Sequence, residues 1–478
     1  MFADPDYNYL LNALNIAEFK GPAYTDHPGT TIQLFGAIVL RVAQIFHNLF
    51  HNREHIRVLV ISNPEFYLHL LQAIIAVMTA LTLFGSALIL FHSTKNYWAS
   101  VIYQLTPLLF VPFFMQYSDR FSPEPFLMIA GLWLGCLLLF QVFSTTPLSE
   151  NRYSLFAGLI VAFGIVSKIT FIPLGLIPLG LIPLGLMRSK KGILRYGFTV
   201  IGAFLIFTLP IGGRYPQFLK WVLELSTHQA VYRSIQGWGD FLNFIKQNQT
   251  YFTLFFSTWV LAIGCFLRAR SEKANRLLLA VAVGITFQLL MVFKHIEAHY
   301  LIAAMPLTGV FTFLMCIKVK KLKSGFVKGL GIGFIFSLVI VPLRMDILYF
   351  KYFYENPSTI LAEFDKVSEL VKKEYSHCAV VTYDSYSPEY ALLLGNGNAG
   401  ARHNNPLSDI YPNRYYYNAL TNKYVYWNKD FTNEEMRTKY SCLVYQGKNT
   451  GDKLGGLKVN TFKTIYTGKN INLYEEIF

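Results

Sequence analysis

Two short acidic stretches hold the residue types best able to do chemistry: Ala3–Tyr9 reads ADPDYNY and Ser118–Pro125 reads SDRFSPEP. A carboxylate such as Asp4, Asp6 or Glu124 can take the proton of an attacking hydroxyl as general base, while a second one orients the acceptor or a bound metal. Basic groups follow at intervals, namely Arg41, Lys168, Lys294, His299 and Arg344. Groups of this kind can hold a phosphate while it leaves. Taken singly, each is more often an anchor whose long side chain reaches a bilayer surface. Gathered on one face, they favour a site, so the elements that carry them decide the matter.

The chain has 478 residues, 53% hydrophobic and 15% charged, with a mean hydropathy of +0.36. Soluble domains carry about 25% charged residues. This excludes a disordered chain, a secreted disulfide scaffold and an ordinary cytosolic enzyme, and implies a polytopic α-helical membrane protein. Runs long enough to cross a bilayer, about 20 apolar residues, lie near 64–92, 98–116, 123–143, 195–213, 251–267, 277–293, 299–317 and 329–349. The stretch 154–187 is broken by Lys168 and by Pro173, Pro178 and Pro183 of the repeat PLGLIPLGLIPLGL, and reads as two short crossings, the second kinked. About ten crossings result.

The formal charge of +14 raises the question of nucleic acid. Its distribution answers it: residues 1–350 carry 27 basic and 14 acidic residues, whereas the tail from Lys351 is nearly balanced. Most of the excess sits in three short runs, Arg188–Arg195, Arg268–Arg276 and Lys318–Lys328. Positive charge in short loops between apolar segments marks the cytoplasmic face, so a nucleic-acid partner is not expected. Following parity outward, residues 51–63, 214–250 and 294–298, the turn at Lys168, the start of the 123–143 crossing and everything after 350 fall outside. Residues 27–50 are long enough to span, but Arg41 at the centre favours an amphipathic helix lying in the interface, which puts residues 1–26 outside as well. A chain that begins with exported residues needs an earlier crossing to deliver them, so an N-terminal crossing upstream of Met1 is expected.

The tail, 351–478, alternates polar and apolar residues and reads as a small extracytoplasmic α/β domain following a membrane domain of residues 1–350. A helix is expected over Asn356–Tyr375, and strands over Cys378–Tyr383, Lys423–Trp427, Cys442–Gln446 and Asn472–Glu475. Cys378 and Cys442 are expected as free thiols at the starts of two strands, with a disulfide as the alternative outside the membrane. GNGNAGARHNN (395–405) lacks the spacing of a nucleotide loop and reads as a surface loop.

In order along the chain stand ADPDYNYLLNAL, DHPGTTIQLFGAIVLRV, SPEPFLMIAGLWL, GIVSKITFIPLGL and KHIEAHYLIAAMP. This series resembles the GT-C glycosyltransferases, in particular the branch of protein O-mannosyltransferases, aminoarabinose transferases and RgtA-like enzymes, over residues 3–310. The resemblance implies an inverting transfer of a hexose or pentose from a polyprenyl-phosphate carrier to a lipid, glycan or protein acceptor. It places the enzyme in the inner (plasma) membrane, with its active site on the outer face. Within it, Asp4 is similar to the catalytic base of the first outer loop (1–63), Asp6 to its acidic companion and Glu124 to the second acidic site. His27-Pro28-Gly29 resembles the opening of the interfacial helix 27–50. Lys168 and His299 match the donor-phosphate positions, to which Lys294, His27 and Arg344 are added. His228, Tyr232, Arg233 and Trp238 would belong to a mobile flap over the sugar. Metal dependence stays open, since relatives with and without a divalent ion exist and the acidic groups fit either case. The competing readings are a flippase for lipid-linked sugars, which would line its mid-membrane helices with polar groups, and a protein like the O-antigen ligases.

Overall fold

The computed structural model describes residues 6–26, 29–110, 117–118, 120–180, 189–227, 238–268, 272–292, 298–320, 325, 362–383, 388–418, 421–427, 429–447, 453–454, 457–458, 462–469 and 471–478. The chain divides into two units, one of residues 25–32 and 72–349 and the other of residues 1–24, 33–71 and 350–478.

The first of these units is helical. Its core joins the helices Tyr97–Leu105, Pro123–Phe143, Glu150–Ser167, Lys273–Val292 and Thr308–Lys320 through buried Tyr103, Leu134, Leu138, Val161, Leu278 and Phe313. Close approach depends on small residues: a Cβ on Gly135 would stand 2.6 Å from the Tyr103 hydroxyl. That hydroxyl donates to the Leu132 carbonyl at 2.6 Å, so the buried phenol keeps a partner.

Among the described residues four helices are long and apolar enough to cross a membrane: Thr30–Phe50, Pro64–Thr94, Pro123–Phe143 and Lys273–Val292. A fifth candidate is the pair Lys190–Phe207 and Leu209–Glu224, bent by 74°. Pro210 and the positive φ of Gly212 lie at that break. Along Pro64–Thr94, Val77, Leu81, Phe84, Leu88 and Phe91 are exposed at helical spacing, a stripe suited to lipid and costly in water. The proline repeat begins as a 3₁₀ turn, Ile169–Gly175, followed by the short helix Leu176–Gly180.

The other unit contains a mixed seven-stranded sheet with strand order β4-β3-β2-β1-β5-β9-β8. Its strands are β1 (Ala379–Thr382), β2 (Arg414–Asn418), β3 (Lys423–Tyr426), β4 (Lys429–Phe431), β5 (Cys442–Gly447), β8 (Lys463–Thr467) and β9 (Asn472–Ile477); β6 (Lys453–Leu454) and β7 (Leu457–Lys458) form a separate pair. β1 runs parallel to both β2 and β5, and helix Asn433–Lys439 opens with a capping box of Thr432 and Glu435. Helical residues precede the sheet over 362–374.

Two expectations need correction. Cys378 and Cys442 form a disulfide rather than two free thiols. The parallel register pairs Ala379 with Leu443, so the residues just before them start side by side, with Cα atoms 4.9 Å apart. The run GNGNAGARHNN is not a plain loop: it completes the helix Pro388–Asn398, turns through Gly400 and enters Asn404–Ile410. Its glycine and asparagine content signals a turn by propensity, but packing overrides that signal. A Cβ on Gly395 would stand 2.9 Å from the Tyr7 carbonyl oxygen, so only glycine lets this helix lie against Asp6–Ala17. Asn398 Nδ2 donates to Asn8 Oδ1 and Asn15 Nδ2 to the Ala399 carbonyl, both at 3.0 Å.

Candidate functional site

Ser122-Pro123-Glu124 is a helix start written in sequence: a serine at the N-cap, a proline at the first helical position and an acid in the first turn. It sets Glu124 at the head of Pro123–Phe143. Two turns further along, Gly131 would place a Cβ 2.9 Å from the Ala303 carbonyl oxygen, so the small residue admits the turn segment 298–307 against this helix. Lys168 arises differently. It caps the C-terminus of Glu150–Ser167 in an extended conformation (φ −159°, ψ 131°), and the chain then folds back as the 3₁₀ turn. Gly164 makes the reversal fit, because a Cβ there would meet the Phe171 ring at 2.5 Å.

These two devices bring Lys168 Nζ to 2.8 Å from Glu124 Oε1, with Glu124 only 5% and Lys168 3% exposed. A buried pair of this kind loses both hydration shells and holds together through its geometry and its Coulomb attraction. The ammonium also lies 4.5 Å from the centre of the Tyr300 ring. The Tyr300 ring lies 4.2 Å from that of His299 at a tilt of 43°, and His299 lies 6.3 Å from the Tyr117 ring. Gln288 donates from its amide to the Tyr300 carbonyl and fixes the turn that carries both aromatic groups. Arg120 and Lys168 lie within electrostatic reach of His299, and Lys168 and His299 both act on Glu124. Ser167, beside Lys168, shares a hydrogen bond of 2.8 Å with Thr31.

Beside the ion pair opens a pocket walled by Pro107, Phe110, Tyr117, Met128, Ile302 and Met305, with Glu124 among its lining. Apolar walls around one charged group suit a ligand with a greasy part and a polar head. Chemically, the cluster offers one carboxylate, a lysine it already neutralises, an arginine and an imidazole. It can therefore hold an anion without gathering excess positive charge.

The structure thus joins Glu124, Lys168 and His299 of the expected residues. Asp6 is the first, half-buried residue of Asp6–Ala17 in the other unit. Trp238 begins the helix Trp238–Gln247, is 77% exposed and packs edge-on against Phe241. Arg41 donates to Gln44 Oε1 at 3.0 Å and lies over the Phe19 ring, the habit of a snorkelling anchor. Asp4, His27, Lys294, Arg344, His228, Tyr232 and Arg233 lie outside the described residues. Sequence reasoning missed Tyr117, Arg120 and Tyr300. Aromatic residues are common at membrane interfaces, so nothing in the types of Tyr117 and Tyr300 distinguished them, whereas Arg120, a basic residue inside SDRFSPEP, carried the same signal as the cations that were picked out. Among the described residues the one group with metal-like spacing is His377, Cys378 and Cys442, whose sulfurs are joined to each other.

The sequence matches no family model, and no curated protein aligns with it significantly. Its structure does find neighbours: ArnT from Cupriavidus metallidurans bound to undecaprenyl phosphate superposes with a TM-score of 0.52 over 98% of this chain and 93% of that one, at 11% identity. The chain has an ArnT-like fold. The apo form of the same ArnT aligns over the same extent, with a TM-score of 0.50 and 11% identity. At that identity the likeness speaks for the path of the backbone, while the roles of individual residues rest on the geometry above.

Proposed function

We propose that the protein is an integral-membrane glycosyltransferase that moves a sugar from a polyprenyl-phosphate carrier to an acceptor at the outer face of the membrane. The observation that carries this reading is the buried Glu124–Lys168 pair, with Tyr300 and His299, beside a pocket with apolar walls. It occurs on the fold of a protein solved with undecaprenyl phosphate. Residues 1–350 would form the catalytic membrane domain and 351–478 the extracytoplasmic domain. Of the two polar groups within crossings that a transport path could use, His69 and Gln288, Gln288 donates to the Tyr300 carbonyl, which favours a structural part for it over a flippase.

Asp4 takes the proton from an acceptor hydroxyl or amine, with Asp6 as its acidic companion. The acceptor atom bonds to the anomeric carbon from the side opposite the carrier. The bond from that carbon to the phosphate oxygen breaks, the electron pair leaves with the polyprenyl phosphate, and the configuration inverts. Phosphate is a good leaving group and needs cations more than an acid. Lys168 and Arg120 supply them, His299 adds a ring N–H as hydrogen-bond donor, Lys294, His27 and Arg344 are further contributors, and Glu124 holds the Lys168 ammonium in place. His228, Tyr232, Arg233 and Trp238 would cover the bound sugar.

Membranes carrying the chain, given a panel of radiolabelled polyprenyl-phosphate sugars, test this. Native protein is expected to transfer from at least one donor, and Asp4→Asn to be slower by about 10²–10⁴-fold. Transfer by Asp4→Asn at the native rate would remove Asp4 as the base. Absence of transfer from every donor would remove the transferase reading.

A further inference from the structure

Helices Glu150–Ser167 and Lys190–Phe207 lie side by side and run parallel. At one end Glu150 accepts from the backbone N–H and the hydroxyl of Ser189, at 3.0 and 2.9 Å. Further along both helices, a Cβ on Gly158 would stand 2.7 Å from the Thr199 side chain. Their N-termini therefore share one end of the membrane unit. The basic run Arg188–Arg195 lies there and marks that end as cytoplasmic. Lys168 caps the other end of the first helix, about 24 Å from Arg152 at 1.5 Å per residue.

On each helix one face stays uncovered, and the two faces have the same layout. Arg152, Leu155, Phe156 and Leu159 are exposed at i, i+3, i+4 and i+7, and Lys191, Leu194, Arg195 and Phe198 repeat that spacing on the second helix. Counting about 100° per residue from the contact of Gly158 with Thr199 puts both stripes on the same side of the pair. Cations thus head two adjoining apolar stripes. Gly202 falls on the edge of the second stripe that faces the first, with nothing within 4 Å of its missing Cβ. That opening lies about 16 Å deeper than Lys191.

Charge at this end is not balanced. Glu150 is taken up by Ser189, and among the described residues no ion pair reaches Arg152, Lys190, Lys191 or Arg195. Orientation in the membrane needs positive charge in the loop and nothing more. Here the cations also stand at the head of exposed apolar surface, the layout that an anionic head with acyl chains behind it would match.

We propose that this helix pair binds an anionic phospholipid of the cytoplasmic leaflet, of the two-phosphate diphosphatidylglycerol type, at a surface separate from the transfer site. Basic surfaces between helices on this side of a membrane recognise such head groups by charge. Arg152 from one helix and Lys191 and Arg195 from the other hold the phosphates. Cations drawn from two helices outnumber the charge of one phosphate, which is why a head group with two fits better. An acyl chain lies against Phe198 and enters the opening at Gly202.

The test titrates the purified full chain in mild detergent with diphosphatidylglycerol, phosphatidylglycerol and phosphatidylcholine, counting bound lipid by native mass spectrometry. Diphosphatidylglycerol is expected to bind at least about tenfold more tightly than phosphatidylcholine, with phosphatidylglycerol between them. The combined variant Arg152→Gln, Lys191→Gln and Arg195→Gln is expected to lose about tenfold or more of that affinity. Lys273→Gln with Arg276→Gln, which removes cations from another basic run, is expected to bind as native does. Gly202→Leu keeps every charge and fills the opening, so it is expected to weaken diphosphatidylglycerol by about threefold or more. Equal affinity for diphosphatidylglycerol and phosphatidylcholine, or an equal loss in the Lys273 and Arg276 control, overturns the proposal. If the combined variant fails to insert, Gly202→Leu alone decides, and native affinity in it overturns the proposal as well. No sugar transfer is measured, so the transferase reading stands or falls by its own assay.

Discussion

Glu124 and Lys168 are separated by 44 positions, and each could be picked out alone, one from its place after Ser122-Pro123 and the other from its interruption of an apolar run. Their pairing could not, because it depends on where two helices end in space. The pairing also sets a prediction. Lys168→Met leaves a buried carboxylate without a partner, which costs about 3–5 kcal/mol. Glu124→Gln together with Lys168→Met removes both charges, and the double variant is expected to recover most of that loss while remaining inactive. Thermal unfolding of the native, single and double variants measures the coupling, and strictly additive losses would show that the pair is not a unit. His403, in the unit that holds the sheet, gives the pH dependence. It is fully buried, and burial, helped by the nearby cations of Arg57 and Lys20, lowers its pKa from 6.5 to about 4 against the pull of the Glu18 carboxylate and the backbone of Leu11. Between these values the unfolded chain binds a proton that the folded chain does not, so stability falls as pH drops from 6.5 to about 4. A shift of that size corresponds to about 3 kcal/mol. Unfolding midpoints across this range are expected to decline for native protein and to flatten for His403→Phe.

At the scale of elements, hydropathy and alternation found the parts that local pattern defines. Helix Pro123–Phe143 occupies its expected span, and β1, β3, β5 and β9 fall within about one or two residues of expectation. Of the seven-stranded sheet, β2, β4 and β8 went unrecognised. Three successive tyrosines in RYYYN show no polar alternation, and in KTIYT the burial pattern is weak. The run 395–405 reads as a loop because glycine usually weakens a helix, whereas at the end of Pro388–Asn398 the missing Cβ is what the contact requires. Gly395→Ala should therefore destabilise despite its better helix propensity, by about 1–3 kcal/mol of overpacking against Tyr7. Hydrogen exchange is the measurement: amides of Asp6–Ala17 and Pro388–Asn398 are expected to lose protection together. An unchanged profile would mean that the two helices do not depend on this contact.

For the whole molecule, the lipid-facing surface makes the most direct prediction. Leu81 is 63% exposed near the middle of Pro64–Thr94. Leu81→Lys should cost about 2.5–3.5 kcal/mol on insertion and lower the yield of folded protein in membranes, whereas Leu81→Phe should not. Equal yields of the two variants would place that stripe away from lipid. Sequence by itself determined that the chain is a membrane protein with a polar α/β tail. Transfer of an apolar run into lipid is favourable segment by segment, and strand alternation is likewise a local signal. Only tertiary structure decided that Cys378 bonds Cys442, that Gly395 touches Tyr7 and that Lys168 neutralises Glu124. Each of these joins positions distant in sequence through close approach, and close approach is set by how whole elements pack rather than by the residues on either side.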